Sequence, residues 1–217
     1  MLSRNLVKFA RVLNAVPRYS ISYRGQSGAG GEDLISRILQ DHRNLEEYYK
    51  NYKAAKTEED SHKWFNQFVW EISRHSVAEE LTFYNLLEIK GDKGKELSKK
   101  SRDEQNHVKV LLEDLRHEKD PQKFDEKFAK VFNEVQDHLK TEETEDLPFL
   151  KEQFTEDQLI KAGKAFSMKQ KIAPTRPHPA VPDKPTALEL ALGLFIAPVD
   201  KFRDLFVDFP DKNTTKA

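Results

Sequence analysis

The sequence contains no cysteine, which excludes disulfides, thiol catalysis and any thiolate-held metal. A metal in this chain is therefore held by His, Asp or Glu. No apolar run reaches the roughly 18 to 20 residues that a membrane-spanning helix needs. A dominant charge is also missing: 36 Lys and Arg against 37 Asp and Glu leave a net charge of −1. The whole chain thus carries no strong nucleic-acid signature. β signals are scarce. What remains is a chain of 217 residues, 37% hydrophobic and 34% charged, which suits one domain with appendages or at most two small domains.

Three regions follow from the pattern. Residues 1–30 carry Arg4, Lys8, Arg11, Arg18 and Arg24, and no acid precedes Glu32. Leu2, Leu6, Phe9, Leu13 and Val16 recur there at helical spacing, and a Ser/Gly-rich stretch follows. This predicts a mitochondrial transit peptide, with a disordered or bundle-docking N-terminus as the alternative. Residues 31–154 show helical periodicity almost throughout. A first helix carries Ile35, Ile38, Leu39, Leu45, Tyr49 and Tyr52, and Thr57 caps a second that runs from near Asp60 to Ile89. "KGDKGK" is the clearest break, with two glycines bracketing charges. A third helix carries Leu97, Val108, Leu111 and Leu115. A fourth carries Phe124, Phe128, Val131, Val135 and Leu139 and weakens toward Pro148. The expected fold is all-α, an up-down-up-down antiparallel four-helix bundle.

Residues 155–217 form an extension. A helix is expected from roughly Glu156 to Ile172, then "APTRPHPAVPDKP", whose prolines suggest an extended wrap or linker. The stretch from Thr186 to Phe206 reads as an amphipathic helix interrupted at Pro198. Docking on the bundle or on a protein partner is favoured over membrane-surface binding.

His42, His75, His107 and His138 fall one per helix, at intervals of 33, 32 and 31 residues. In an antiparallel bundle that spacing sets four side chains at one height. His75 and Glu79 interrupt an apolar stripe of Phe65, Phe68, Ile72, Thr82 and Leu86, where ionisable groups are costly unless satisfied from inside. Glu142 follows His138 by one turn, as Glu79 follows His75. His42–Glu46 is a third copy of that spacing. His62, His117 and His178 lie near helix ends or in the Pro-rich stretch and serve as controls.

Imidazole with carboxylate suits iron, manganese, zinc or copper, and disfavours calcium. Six ligands are too many for one tetrahedral zinc. They fit two metals bridged by both carboxylates and an oxo, hydroxo or water ligand, with positions open to dioxygen, peroxide or nitric oxide. A ferritin-like site wants two E-x-x-H motifs; Glu104–His107 supplies one.

At "QDHRNLEEYY", "SRHSVAEELTFY", "EQNHVKVLLEDL" and "QDHLKTEETEDLPFL" the sequence resembles the haemerythrin-like, or HHE cation-binding, family over residues 32–154. The resemblance implies a four-helix bundle holding a non-haem di-iron centre, with His42, His75, Glu79, His107, His138 and Glu142 at the family's ligand positions. Oxygen-carrying members have a second histidine four residues after that of the third helix. Here Leu111 stands there, so the set looks more like the iron-sensing and iron-handling branch. Glu104 is a candidate substitute ligand. The tail with "PTRPHPAVPDKP" resembles that of fungal members. Three functions follow as expectations: a mitochondrial di-iron protein for iron handling or for response to oxygen or nitric oxide; a peroxidase or ferroxidase on the same centre, with Tyr84 or Glu104 as proton donor; and a metal-free structural or interaction bundle.

Overall fold

The computed structural model describes residues 32–178, 196–201 and 203–211. The transit-peptide reading of residues 1–30 and most of the Pro-rich wrap lie outside the described residues. Helix α1 spans Leu34–Ala54 and starts where the Asp33 carboxylate accepts the Ser36 N–H at 3.0 Å. Helix α2, Glu58–Ala78, is capped by Thr57 and opens with Glu58, Glu59 and Asp60, acids that suit the positive end of a helix. The same rod continues through a π turn, Glu79–Phe83, into α3, Tyr84–Glu88.

The chain then reverses faster than "KGDKGK" suggests. Gly91 takes φ +84° and opens α4, Gly91–Arg116. Gly94 lies inside that helix because α3 crosses there: a Cβ would sit 1.9 Å from the Leu87 carbonyl oxygen. Its smallness serves a close approach, not a loop.

Asp120 caps α5, Pro121–Thr141, and Pro121 occupies the first turn, where its missing N–H costs nothing. A second π turn, Glu142–Asp146, leads into α6, Leu147–Gln153. The fourth rod therefore runs through Pro148, which falls directly after the π turn, in the first turn of α6. A capping box at Thr155 and Gln158 starts α7, Glu156–Ile172.

Among the described residues there is no strand, and the all-α bundle stands as expected. The rods are α1, α2–α3, α4 and α5–α6. Neighbours in sequence pack side by side, and ring contacts such as Tyr49 on Phe132, with centroids 3.7 Å apart, close α1 onto α5. Helix α7 makes a fifth element, laid against α1 and α2. At Gly163 an added Cβ would meet the Glu32 carbonyl oxygen at 2.5 Å. Residues 196–201 are helical through Pro198, so the expected interruption is not there. This segment docks on the extension: buried Asp200 accepts the Thr175 N–H at 3.2 Å and contacts His178 Nε2 at 2.8 Å. No helix among the described residues is long and apolar enough to cross a membrane.

The interior has two apolar clusters. One joins Tyr48, Trp64, Phe65, Phe68, Phe124 and Phe128 with Leu112, Leu115 and Val135. The other joins Leu34, Ile38, Phe83, Leu87, Leu97 and Leu150 with Leu159 and Phe166 of α7. Between them lies a charged layer.

Candidate metal centre

His42, His75, Glu79 and Glu142 are buried, and one ligand atom from each falls within 4.8 Å of all the others. The core stripes bring them there. On α2 the run Phe65, Phe68, Ile72, His75 and Glu79 is buried at every position. Each carboxylate opens a π turn: the Tyr84 N–H reaches back to the Glu79 carbonyl, and the Leu147 N–H to that of Glu142. Such turns add a residue to the helix and are frequent at functional sites.

His138, also buried, flanks this group, with Nε2 3.6 Å from Glu142 Oε1. His75 Nε2 lies 3.0 Å from Glu79 Oε1, and His42 Nε2 lies 3.3 Å from Glu142 Oε2.

The two nitrogens of each ring face different worlds. Every Nδ1 meets an outer carboxylate: His42 meets Glu143 at 2.9 Å, His75 meets Asp41 at 3.2 Å and His138 meets Glu104 at 2.9 Å. Every Nε2 is buried and, apart from the ion-pair approaches to Glu79 and Glu142, makes no hydrogen bond, and the same holds for Glu79 Oε1 and Glu142 Oε2. The opposite carboxylate oxygens are satisfied by protein. Gln105 Nε2 donates to Glu79 Oε2 at 2.5 Å, and the Tyr84 hydroxyl donates to Glu142 Oε1 at 2.9 Å. Orphaned buried polar atoms are expensive. Here five of them converge from three imidazoles and two carboxylates, a donor set that suits a cation, with each ring oriented by an outer carboxylate as metal-binding histidines usually are.

Charge follows the same geometry. Burial opposes a proton on His75, but Glu79 and Asp41 raise its pKa well above the ordinary value. Burial works likewise on His138, and Glu142, Glu104 and Glu79 lift it to about 9. Burial raises Glu79, as does the charge of Glu142. Glu142 itself is held down to about 2 because His138, His42 and His75 outweigh burial. Without a cation, protons on the rings balance the carboxylates; a cation would have to displace them.

His107 does not join the layer. It is exposed, and the buried stripe of α4 is Ser101, Gln105, Val108, Leu112 and Leu115. His107 lies two residues from Gln105, a rotation of about 200° on a helix. Equal sequence spacing fixes height along a bundle and says nothing about rotation. Leu111 turns with it and is half-buried against the aromatic cluster. Glu104 enters as the partner of His138 Nδ1. Sequence reasoning passed over Asp41, Gln105 and Glu143. The first two were legible: Ile38, Asp41, Leu45, Tyr48 and Tyr52 keep helical core spacing, as do Gln105, Val108, Leu112 and Leu115. Glu143 had no such signal. The controls behave as expected: His62 and His117 are exposed, and His178 pairs with Asp200.

The fold and the layer together define a helical bundle with a buried His/Glu cation site. Residues 33–150 match the hemerythrin HHE cation-binding domain, and the chain belongs to that family. It is 38% identical over 179 residues to an uncharacterized hemerythrin-like protein of Schizosaccharomyces pombe, an alignment covering 82% of this chain and 88% of that protein. No solved structure matches.

Proposed function

We propose that this chain binds a non-haem iron pair and serves iron handling or a response to dioxygen, peroxide or nitric oxide. The observation that carries the reading is the set of orphaned atoms, His42, His75 and His138 Nε2 with Glu79 Oε1 and Glu142 Oε2. His42, His75, Glu79 and Glu142 would hold one ion, and His138 with the two carboxylates a second. Iron there supplies one-electron chemistry toward small oxygen- or nitrogen-containing molecules. The protein's own part is to aim three imidazoles through their Nδ1 contacts, to keep a proton on the Tyr84 hydroxyl against Glu142, and to exclude water with an apolar cluster on either side. An oxidase or peroxidase role is the second reading, favoured by the Tyr84 phenol donating to Glu142. The arginine-rich, acid-free residues 1–31 support a mitochondrial address, which N-terminal sequencing of the mature protein from isolated mitochondria would test.

Protein purified without a polyhistidine tag and loaded anaerobically with ferrous iron is expected to retain about two irons per chain and, after air, to absorb in the near ultraviolet. A single zinc, with no iron retained, would overturn the proposal. Steady-state turnover of hydrogen peroxide or ferrous iron would move the enzymatic reading to first place.

A further inference from the structure

Helix α7 contributes no side chain to the His/Glu layer, yet it reaches that layer through one intermediate. Gln170, 1% exposed, donates its Nε2 to Asp41 Oδ2 at 2.5 Å, and the same oxygen contacts His75 Nδ1 at 3.2 Å. Arg37 donates to Gln170 Oε1 at 3.1 Å and pairs with Asp41 Oδ1 at 3.3 Å. Arg74 donates to the Gln170 carbonyl at 2.9 Å. One turn earlier, Phe166 is fully buried with its ring edge-on to His75, centroids 6.0 Å apart.

We propose that α7 is a working part of the metal site: through Gln170 and Asp41 it sets the orientation of His75, so metal occupancy and the docking of α7 stabilise one another. The inference rests on the metal reading above. Asp41 is wholly buried, and a buried carboxylate persists only while donors surround it. Gln170 is the donor that α7 supplies. Removing it leaves Asp41 to Arg37 and His75 alone and loosens the tether that aims His75 Nε2 inward. Loss of the ring's own outer partner, here Asp41, typically lowers metal affinity about 10- to 100-fold. Loss of Gln170, one contact further out, belongs at the low end of that range. Coupling of this kind is reciprocal, so metal tightens α7 by the factor by which α7 tightens metal. The extension then carries metal occupancy outward, from the buried layer to a helix whose other face is exposed.

The test uses the full chain and Gln170→Met, which keeps bulk and helix propensity and removes both side-chain hydrogen bonds. Ferrous iron affinity is measured anaerobically by chelator competition, and hydrogen exchange is followed across α7 with and without iron. We expect affinity to fall about tenfold in Gln170→Met, and to stay unchanged in Lys164→Ala on the exposed face. Iron should slow α7 exchange in the unmodified protein and do so less in Gln170→Met. Helix α7 as mere packing would lower the melting temperature equally with and without iron and leave affinity alone; that result overturns the coupling. Unmodified protein that takes up no ferrous iron overturns this inference and the metal reading together, whereas iron uptake equal in both proteins overturns the coupling only.

Discussion

The two apolar clusters close opposite sides of the same charged layer by different means. The aromatic cluster needs only the four rods: Phe128 sits edge-on to Tyr49, Tyr52, Phe65 and Phe68, with centroids 4.7–5.2 Å apart. Large rings fill the space between the helices. The second cluster is mainly aliphatic and borrows Leu159, Ala162 and Phe166 from α7. One side is sealed by side-chain size and the other by an extra helix. The sealing helix is also the one hydrogen-bonded to Asp41, the partner of His75, which ties that side to the site through polar contacts.

The sharpest way to break this contrast is to hollow each cluster. Phe128→Ala should cost about 3–5 kcal/mol, as deletion of a fully buried ring usually does, and leave metal affinity nearly intact if the protein stays folded. Urea unfolding with and without iron would show it. Phe166→Ala should cost somewhat less, about 2–4 kcal/mol, because α7 can partly collapse onto the gap. Unlike Phe128→Ala, it should also weaken iron binding. Equal metal affinity in the two variants would erase the distinction between the sides.

A subtler probe lies in the charge between the clusters. Glu71 is buried, and desolvation and the charge of Asp41 push its pKa to about 7, against the pull of Arg74 and Arg37. The folded state thus holds this proton more tightly than the unfolded chain, whose value lies near 4.5. The group's contribution is fully present below pH 4.5 and is lost as pH rises through 7. Glu71→Gln should therefore gain on the metal-free wild type across that interval, on the order of 2 kcal/mol at its upper end. Parallel stability curves would show that Glu71 is not protonated in the fold.

The smallest effect belongs to the exposed member of the histidine comparison. His75→Ala should lose iron and with it the metal-dependent part of stability. His107→Ala, at an exposed position, should change stability by less than about 0.5 kcal/mol and leave iron uptake untouched. Loss of iron in both variants, by elemental analysis, would return His107 to the layer.

What was legible in the sequence was axial; what was not was rotational. Phe65, Phe68, Ile72, His75 and Glu79 read correctly as one stripe because α2 is regular up to Ala78. Beyond Glu79 the stripe predicts Leu86, whereas Leu87 is the buried residue, because the π turn adds one residue and no residue type announces it. On α1 the expected Tyr49 is half-buried beside fully buried Tyr48, a shift of one position between adjacent tyrosines. The histidine interval puts His107 in the layer, whereas the spacing of Val108, Leu112 and Leu115 turns it to the exposed face, and the structure follows the latter. The docking of α7 needed contacts far apart in sequence, such as Gln170 with Asp41, which no local pattern encodes.

The π turns at Glu79–Phe83 and Glu142–Asp146 act as rotary joints. In each rod, the residues before the joint are phased to the aromatic side and those after it to the aliphatic side, about 100° out of step with a straight helix. Deleting one residue from Glu79–Phe83 would straighten the rod and swing Phe83, Tyr84 and Leu87 out of the core together. The carboxylates sit at the seam where the two phases meet.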